Sequence, residues 1–167
     1  MKLSYEQYYY DNVSWNADTE SYELIMQYQE EDNLQTIWME FGLVNFNRDE
    51  PFVKTQWFNV ALSIYNKRKD MYDNMDKKLS TGKDLIRNFI IARKMFDALE
   101  AVVVEDAVKN KQDIIIFCYW EDNRRRDAYY KVLSRKGYRY GTSPYGNKVI
   151  MKKFKWKDYI DMVNNDE

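Results

Sequence analysis

The chain reads as a single α/β domain: a mixed sheet flanked by helices and closed by a C-terminal β-hairpin. Three observations predict it. Five Gly and two Pro in 167 residues favour long regular elements over dense turns. Apolar residues alternate at strand spacing between residues 20 and 65 and recur at helical spacing after residue 80. Between two helical stretches lies DIIIFCYW, residues 113–120, an apolar run of strand length without alternation. That is the pattern of a strand covered on both faces, and it marks the sheet centre. At 20.4 kDa, with 45% apolar and 17% aromatic residues, the chain can bury one core and is too rich in packing groups to stay unfolded.

The elements follow in order. Residues 1–19 hold Tyr8, Tyr9, Tyr10 and Trp15 without a clean period, and are expected to form a short helix or a cap over the core. ESYELIMQYQ, EEDN and LQTIWMEFGLVNF, residues 20–46, read as two strands joined by a polar turn, because β-branched and aromatic groups dominate both. NRDEP breaks the chain, and FVKTQWFNVALSIY supplies a third strand. Phe58, Val60, Leu62 and Ile64 share its core face, with Trp57, Asn59, Ala61 and Ser63 on the other. Residues 66–79, NKRKDMYDNMDKKL, carry charges of both signs and no long apolar face, so an exposed loop or loose helical insertion is expected.

STGKD then opens the strongest helix. Thr81 and Asp84 have capping-box spacing, with Asp in place of the usual Glu or Gln, and Leu85, Ile86, Phe89, Ile90, Phe96, Leu99, Val102 and Val103 recur at helical spacing. VKNKQ ends it and the central strand follows. DNRRRDAYYKVLSRKG begins with Asp or Asn as a cap, carries Ala128, Tyr129, Val132 and Leu133 as apolar groups, and stops at Gly137, the residue suited to a left-handed helix end. YRYGT, the turn SPYGN and KVIMKKF read as the final hairpin. The expected domain spans residues 1–167, with a core over 20–154 and a tail or short helix over 155–167.

Composition excludes several chemistries. There is no histidine, which removes the imidazole base, Ser-His and Cys-His nucleophile pairs and most structural zinc sites. Cys118 is the one cysteine and lies inside the apolar run, so disulfides and Cys-rich metal sites are excluded and no metal is expected. MKLSYEQYYY has no apolar leader core, and no segment reaches about 18 continuous apolar residues. A cytoplasmic location without membrane spanning is therefore expected. The formal net charge is −1, but from Lys111 onward there are thirteen Lys and Arg against eight Asp and Glu, leaving the rest at about −6. The C-terminal third is the place to look for an anionic ligand, although a solvated charged face explains the excess equally.

The order of elements, with the segment Ile114 to Phe154, resembles the GNAT superfamily of acyl-coenzyme A-dependent N-acyltransferases. In that family a central strand is followed by an Asn-containing turn, a helix, a Gly-aromatic pair and a terminal hairpin. Here IIIFCYW, Asn123, the helix over 124–136, Gly137 with Tyr138, and NKVIMKKF fill those places, and the likeness covers residues 20–154. The chain is also similar to uncharacterised bacteriophage proteins that share an S/T-T-G helix start and, one strand later, an Arg-rich start to a second helix.

The family resemblance implies acetyl-coenzyme A as cofactor, its pyrophosphate held at a helix N-terminus by free N–H groups and the helix dipole. Ser80, Thr81, Gly82 and Lys83 stand at that place, with Asn123 at the following turn. Aligned on Gly82, the family's loop pattern puts Leu79 where Gln or Arg is usual and Asp84 where Gly or Ala is usual. A plain capped helix explains the same residues. The resemblance further implies a tyrosine acid four residues before the Gly-aromatic pair. That position is Leu133, and the nearest tyrosines are Tyr129 and Tyr130, either of which also fits a packing role. For the base, Glu40, Glu121 and Asp122 are the carboxylate candidates.

Arg124, Arg125 and Arg126 point in three directions over one helical turn, so at most two share a ligand. They suit phosphate, carboxylate or an acidic partner; they also suit local pairing with Asp122 or Asp127. Positive charge at a helix N-terminus opposes the dipole, which implies a specific counter-charge for at least one. Three functions stay open. The first is acyl transfer. The second is a non-catalytic interaction protein, in the bacteriophage likeness a virion or anti-defence component in the virion or host cytoplasm, for which exposed aromatic and arginine groups would speak. The third is nucleic-acid binding through the basic C-terminal third and its tyrosines.

Overall fold

The structure, a computed structural model, describes residues 2–30, 33–46, 55–66, 71–73 and 83–164. The elements are α1 (Gln7–Asp11), β1 (Ser14–Asn16), β2 (Ser21–Glu30), β3 (Asn33–Val44), β4 (Thr55–Asn66), β5 (Met71–Asp73), α2 (Lys83–Lys109), β6 (Asp113–Cys118), α3 (Asn123–Leu133), β7 (Arg139–Thr142), β8 (Lys148–Phe154) and α4 (Asp161–Asn164). Single 3-10 turns follow α3 and precede α4. The strands hydrogen-bond in the order β1-β2-β3-β4-β6-β8-β7, with β5 on the far end of β4. The mixed α/β fold class and the terminal hairpin are as expected, and no described helix is long and apolar enough to cross a membrane.

Two short strands were not expected. β1 pairs with the start of β2, Ser14 opposite Glu23, after a turn in which the Asn16 side chain accepts from the Asp18 and Thr19 amides. β5 lies inside the stretch expected to be a loop or helical insertion, and pairs antiparallel with β4 from Ile64–Asp73 to Asn66–Met71. Three residues are too few for an alternating pattern to show in sequence. The turn at 31–32 and the residues 80–82 expected to open α2 lie outside the described residues, as does the remainder of 67–82.

Contacts divide the chain into two compact units that interleave in sequence. The first holds residues 1–2, 42–60 and 104–167. Its centre is β6, buried from Ile114 through Cys118. β6 runs parallel to β4, from Thr55–Asp113 to Asn59–Phe117, and antiparallel to β8. On one face Ile115, Phe117 and Val149 pack with Phe46, and Trp57 and Met151 lean against them. On the other, Tyr138 and Tyr159 pack against Phe154. Both faces of β6 are therefore covered, as its unbroken apolar run requires. α2 ends here with Lys111 at φ 52, Gln112 N–H donating to Ala107 O at 2.8 Å and Lys111 N–H to Val108 O at 3.1 Å, a left-handed helix end built without glycine.

The second unit holds residues 3–41 and 61–103. Leu24, Met26, Ile37, Met39 and Phe41 from the strands and Ala92, Met95, Phe96 and Leu99 from α2 form its core, with the Phe41 and Phe96 rings 5.2 Å apart. Tyr28 donates its hydroxyl to the buried Asn88 side chain. Ile90, expected on the buried face of α2, is 49% exposed; the buried stripe instead passes through Asn88, Ala92 and Met95. The Lys94–Glu6 ion pair, 3.1 Å, ties the N-terminal segment to this helix.

Candidate functional site

In the first unit the functional candidates gather on α3 and the hairpin beside it. α3 starts where the sequence places it. Asp122 is its cap, extended at φ −147 and ψ 166, accepting from the Arg125 amide at 2.8 Å. Asn123 is the first helical residue and is exposed. The arginines resolve into three roles. Arg125 pairs with Glu121 and approaches Asp122 at 3.9 Å. Arg126 binds Asp127 through Nε and Nη2, each at 3.0 Å. Arg124 is exposed and has no partner among the described residues. Three local carboxylates thus offset the positive charge at this helix start. Glu121 and Asp122, candidates for a base, are committed to Arg125 and the cap.

Tyr129 and Tyr130 differ in use. Tyr130 stacks on Tyr140 of β7 with centroids 4.2 Å apart and planes at 10°. Tyr129 is half-buried; loss of solvent raises its phenol above the ordinary value, with Arg125 opposing and Cys118, Glu121 and Asp122 adding to the rise. It holds its proton well into the alkaline range. Cys118 is buried and pushed up to about 12 by desolvation, so it is neither a nucleophile nor a ligand at neutral pH.

An open recess of about 570 Å³ lies between the end of β6, α3 and the hairpin, lined by Trp120, Arg126, Tyr140, Gly141, Thr142 and Lys148. Thr142 and Lys148 are direct cross-strand partners, and Tyr140 shares their face two residues along β7. A Cβ at Gly141, between them, would collide with Sδ and Cγ of Met151, so a larger residue there requires that side chain to shift. Sequence reasoning singled out Arg126 alone of these six; the Thr142–Lys148 register that assembles the rest appears only when the hairpin is folded.

One buried group in this unit has an unfilled hydrogen-bonding capacity. The Asn59 side-chain carbonyl, at the last rung of the parallel β4–β6 pair, is out of water and accepts nothing among the described residues. Ligands of open α/β sheets bind outside the carboxyl ends of parallel strands; Asn59 is level with that end of β6, although β4 itself runs on to Asn66. Coenzyme A carries amide N–H donors along its pantetheine arm, so an orphaned acceptor here fits that group.

Glu40 belongs to the second unit, half-buried on β3. Desolvation and then the neighbouring Glu23 carboxylate raise its carboxyl above the usual range, which makes it a stronger base than a free carboxylate. Glu23 is held by the Asn16 amide at 3.1 Å. Lys83 is the first residue of α2, while Ser80, Thr81 and Gly82 lie outside the described residues. The described residues contain no cluster of three or more potential metal ligands. No family model, no curated protein and no solved structure matches the chain.

Proposed function

We propose that this protein is an acyl-coenzyme A-dependent N-acyltransferase of the GNAT type, with acetyl-coenzyme A as donor. The observation that carries the proposal is Tyr129: a half-buried phenol, held protonated, on the helix that follows the central strand. The succession strand, strand, strand, helix, strand, helix, strand, strand from β2 onward, β5 aside, supports it. So does the unfilled Asn59 acceptor. The coenzyme supplies an activated thioester carbonyl for attack by an amine. This chain's residues would hold and move protons around it. The acceptor amine would lose its proton to water, and Glu40 of the second unit is assigned no role at this site. Tyr129 gives its proton to the departing sulfur. Asn59 Oδ1 would accept an amide N–H of the pantetheine arm.

The test is isothermal titration of acetyl-coenzyme A into the full-length protein and its Asn59→Leu and Gly82→Asp variants. Micromolar binding that weakens about tenfold in Asn59→Leu, the loss of one hydrogen bond, and disappears in Gly82→Asp is expected. No heat at millimolar ligand sinks the proposal.

One observation favours a second reading, a partner-binding protein of the virion or anti-defence kind. Tyr5, Tyr8 and Trp15 are 38%, 67% and 48% exposed in the N-terminal segment, with Tyr5 stacked on Tyr10 at 4.7 Å. Aromatic groups of this kind are enriched at protein interfaces. A Tyr8→Ser, Trp15→Ser double variant that keeps coenzyme binding but loses a co-purifying partner would move the function to that surface.

A further inference from the structure

The recess beside α3 has a chemistry that acyl transfer does not use. Trp120 and Tyr140 form an aromatic corner, centroids 5.9 Å apart and planes at 79°. Tyr130, stacked on Tyr140, braces that ring from one side, and Tyr140 is still 49% exposed. Arg126 from α3 and Lys148 from β8 line the same recess, and no carboxylate does. Asp127 engages Nε and Nη2 of Arg126, leaving Nη1 without a partner among the described residues. Lys148 is exposed and has no ion pair among them.

Each half of this arrangement selects part of a ligand. A braced aromatic ring at a corner takes a flat π-system, and stacking of bases on such rings tolerates any base. A guanidinium and an ammonium with free donors take a phosphate. An acidic peptide would satisfy the cations and leave the rings unused; an apolar ligand would do the reverse. The volume, about 570 Å³, falls within the range of about 300–1,000 Å³ typical of small-ligand sites. We infer that the recess binds a nucleoside phosphate, its base against Tyr140 and Trp120 and its phosphate between Arg126 and Lys148. This assignment is independent of the acyl-transfer proposal, because every residue in it is distinct from Asn59 and Tyr129.

Adenosine monophosphate, adenosine, orthophosphate and a short 5′-phosphorylated oligothymidylate are titrated into the full chain and into Lys148→Glu and Tyr140→Leu. Lys148 is exposed, so Lys148→Glu is expected to melt as the parent does, whereas Tyr140→Leu loses the Tyr130 stack and is expected to stay folded with a melting temperature a few degrees lower. Adenosine monophosphate should bind more tightly than adenosine or orthophosphate, and each variant should weaken it at least about tenfold. Tighter oligothymidylate binding with a steeper salt dependence identifies a nucleic-acid strand as the source; equal or weaker binding identifies a free nucleotide. The inference of a separate site falls if acetyl-coenzyme A displaces adenosine monophosphate, because the recess would then hold the coenzyme's own nucleotide. The inference falls if adenosine monophosphate fails to bind at about 10 mM, or binds both variants with unchanged affinity. It also falls if poly-glutamate binds in its place.

Discussion

Gly137→Ala and Lys111→Gly should change stability in opposite directions, because the two residues close helices with the same hydrogen-bond pattern. Gly137 has φ 94, with Tyr138 N–H donating to Leu133 O at 3.1 Å and Gly137 N–H to Ser134 O at 3.2 Å. An L-residue in the left-handed region costs about 1–2 kcal/mol, and φ 94 lies beyond the minimum near +57°. A Cβ would also meet Cε and Nζ of Lys152 at 3.3 Å, and that ammonium donates to Lys136 O at 2.7 Å. Displacing it adds about 1 kcal/mol, while the stiffer unfolded chain returns about 0.4–1 kcal/mol. The net loss for Gly137→Ala is about 1.5–2 kcal/mol. At Lys111, φ 52, the strain relieved by glycine exceeds the added unfolded-state entropy, so Lys111→Gly should gain about 0.5–1 kcal/mol. For a chain of this length the melting temperature should fall by about 3–8 °C in the first variant and rise by about 1–4 °C in the second. Urea unfolding followed by circular dichroism measures both. A Gly137→Ala protein within about 0.5 kcal/mol of the parent, or a destabilised Lys111→Gly protein, would refute the assignment of left-handed strain to these helix ends.

Other outcomes follow from the same structure. Under the proposed acyl transfer, Tyr129→Phe should lower the rate about a hundredfold with KM unchanged and stability within about 0.5 kcal/mol, since no described residue bonds its hydroxyl; an unchanged rate removes Tyr129 from the proposed chemistry. Burial raises the Cys118 thiol from 9.0 to about 12, so the folded state holds this proton more tightly than the unfolded one. The resulting stability is complete below pH 9 and declines as pH rises towards 12, at up to about 1.4 kcal/mol per pH unit; Cys118→Ala should flatten that part of the pH profile. Gly141→Ala, which forces Met151 aside, should cost about 1–3 kcal/mol in a urea melt and perturb nucleotide binding at the recess; retention of both would show that Met151 has room to move.

Long elements with one strong pattern were legible in the sequence. DIIIFCYW announced a two-faced strand, and Asp122 and Gly137 marked the limits of α3 to within its closing 3-10 turn. β1 and β5 were not, because pairing of three residues depends on the neighbouring strand rather than on local periodicity. Positive charge at the start of α3 requires a counter-charge for the arginine triplet, and Glu121 and Asp127 supply it, with Asp122 contributing as cap and neighbour. The recess was illegible: its residues lie at the end of one strand, on a helix and on both arms of a hairpin, and only the Thr142–Lys148 register unites them. Asn59 read as one polar residue on a strand face, since its lack of a partner is a property of the packed interior.

The central position of β6 has a consequence for synthesis on the ribosome. Its parallel neighbour β4 is made before it, but its antiparallel neighbour β8 is separated from it by α3 and β7. Tyr145, which donates to Phe46 O at 2.9 Å and closes one end of the apolar layer, also comes late. A nascent chain paused between residues 119 and 147 would therefore present Ile114–Cys118 with a bare edge, a segment of high β-propensity and no charge. Truncation products ending in that interval should aggregate, and chaperone demand should fall once Phe154 has emerged.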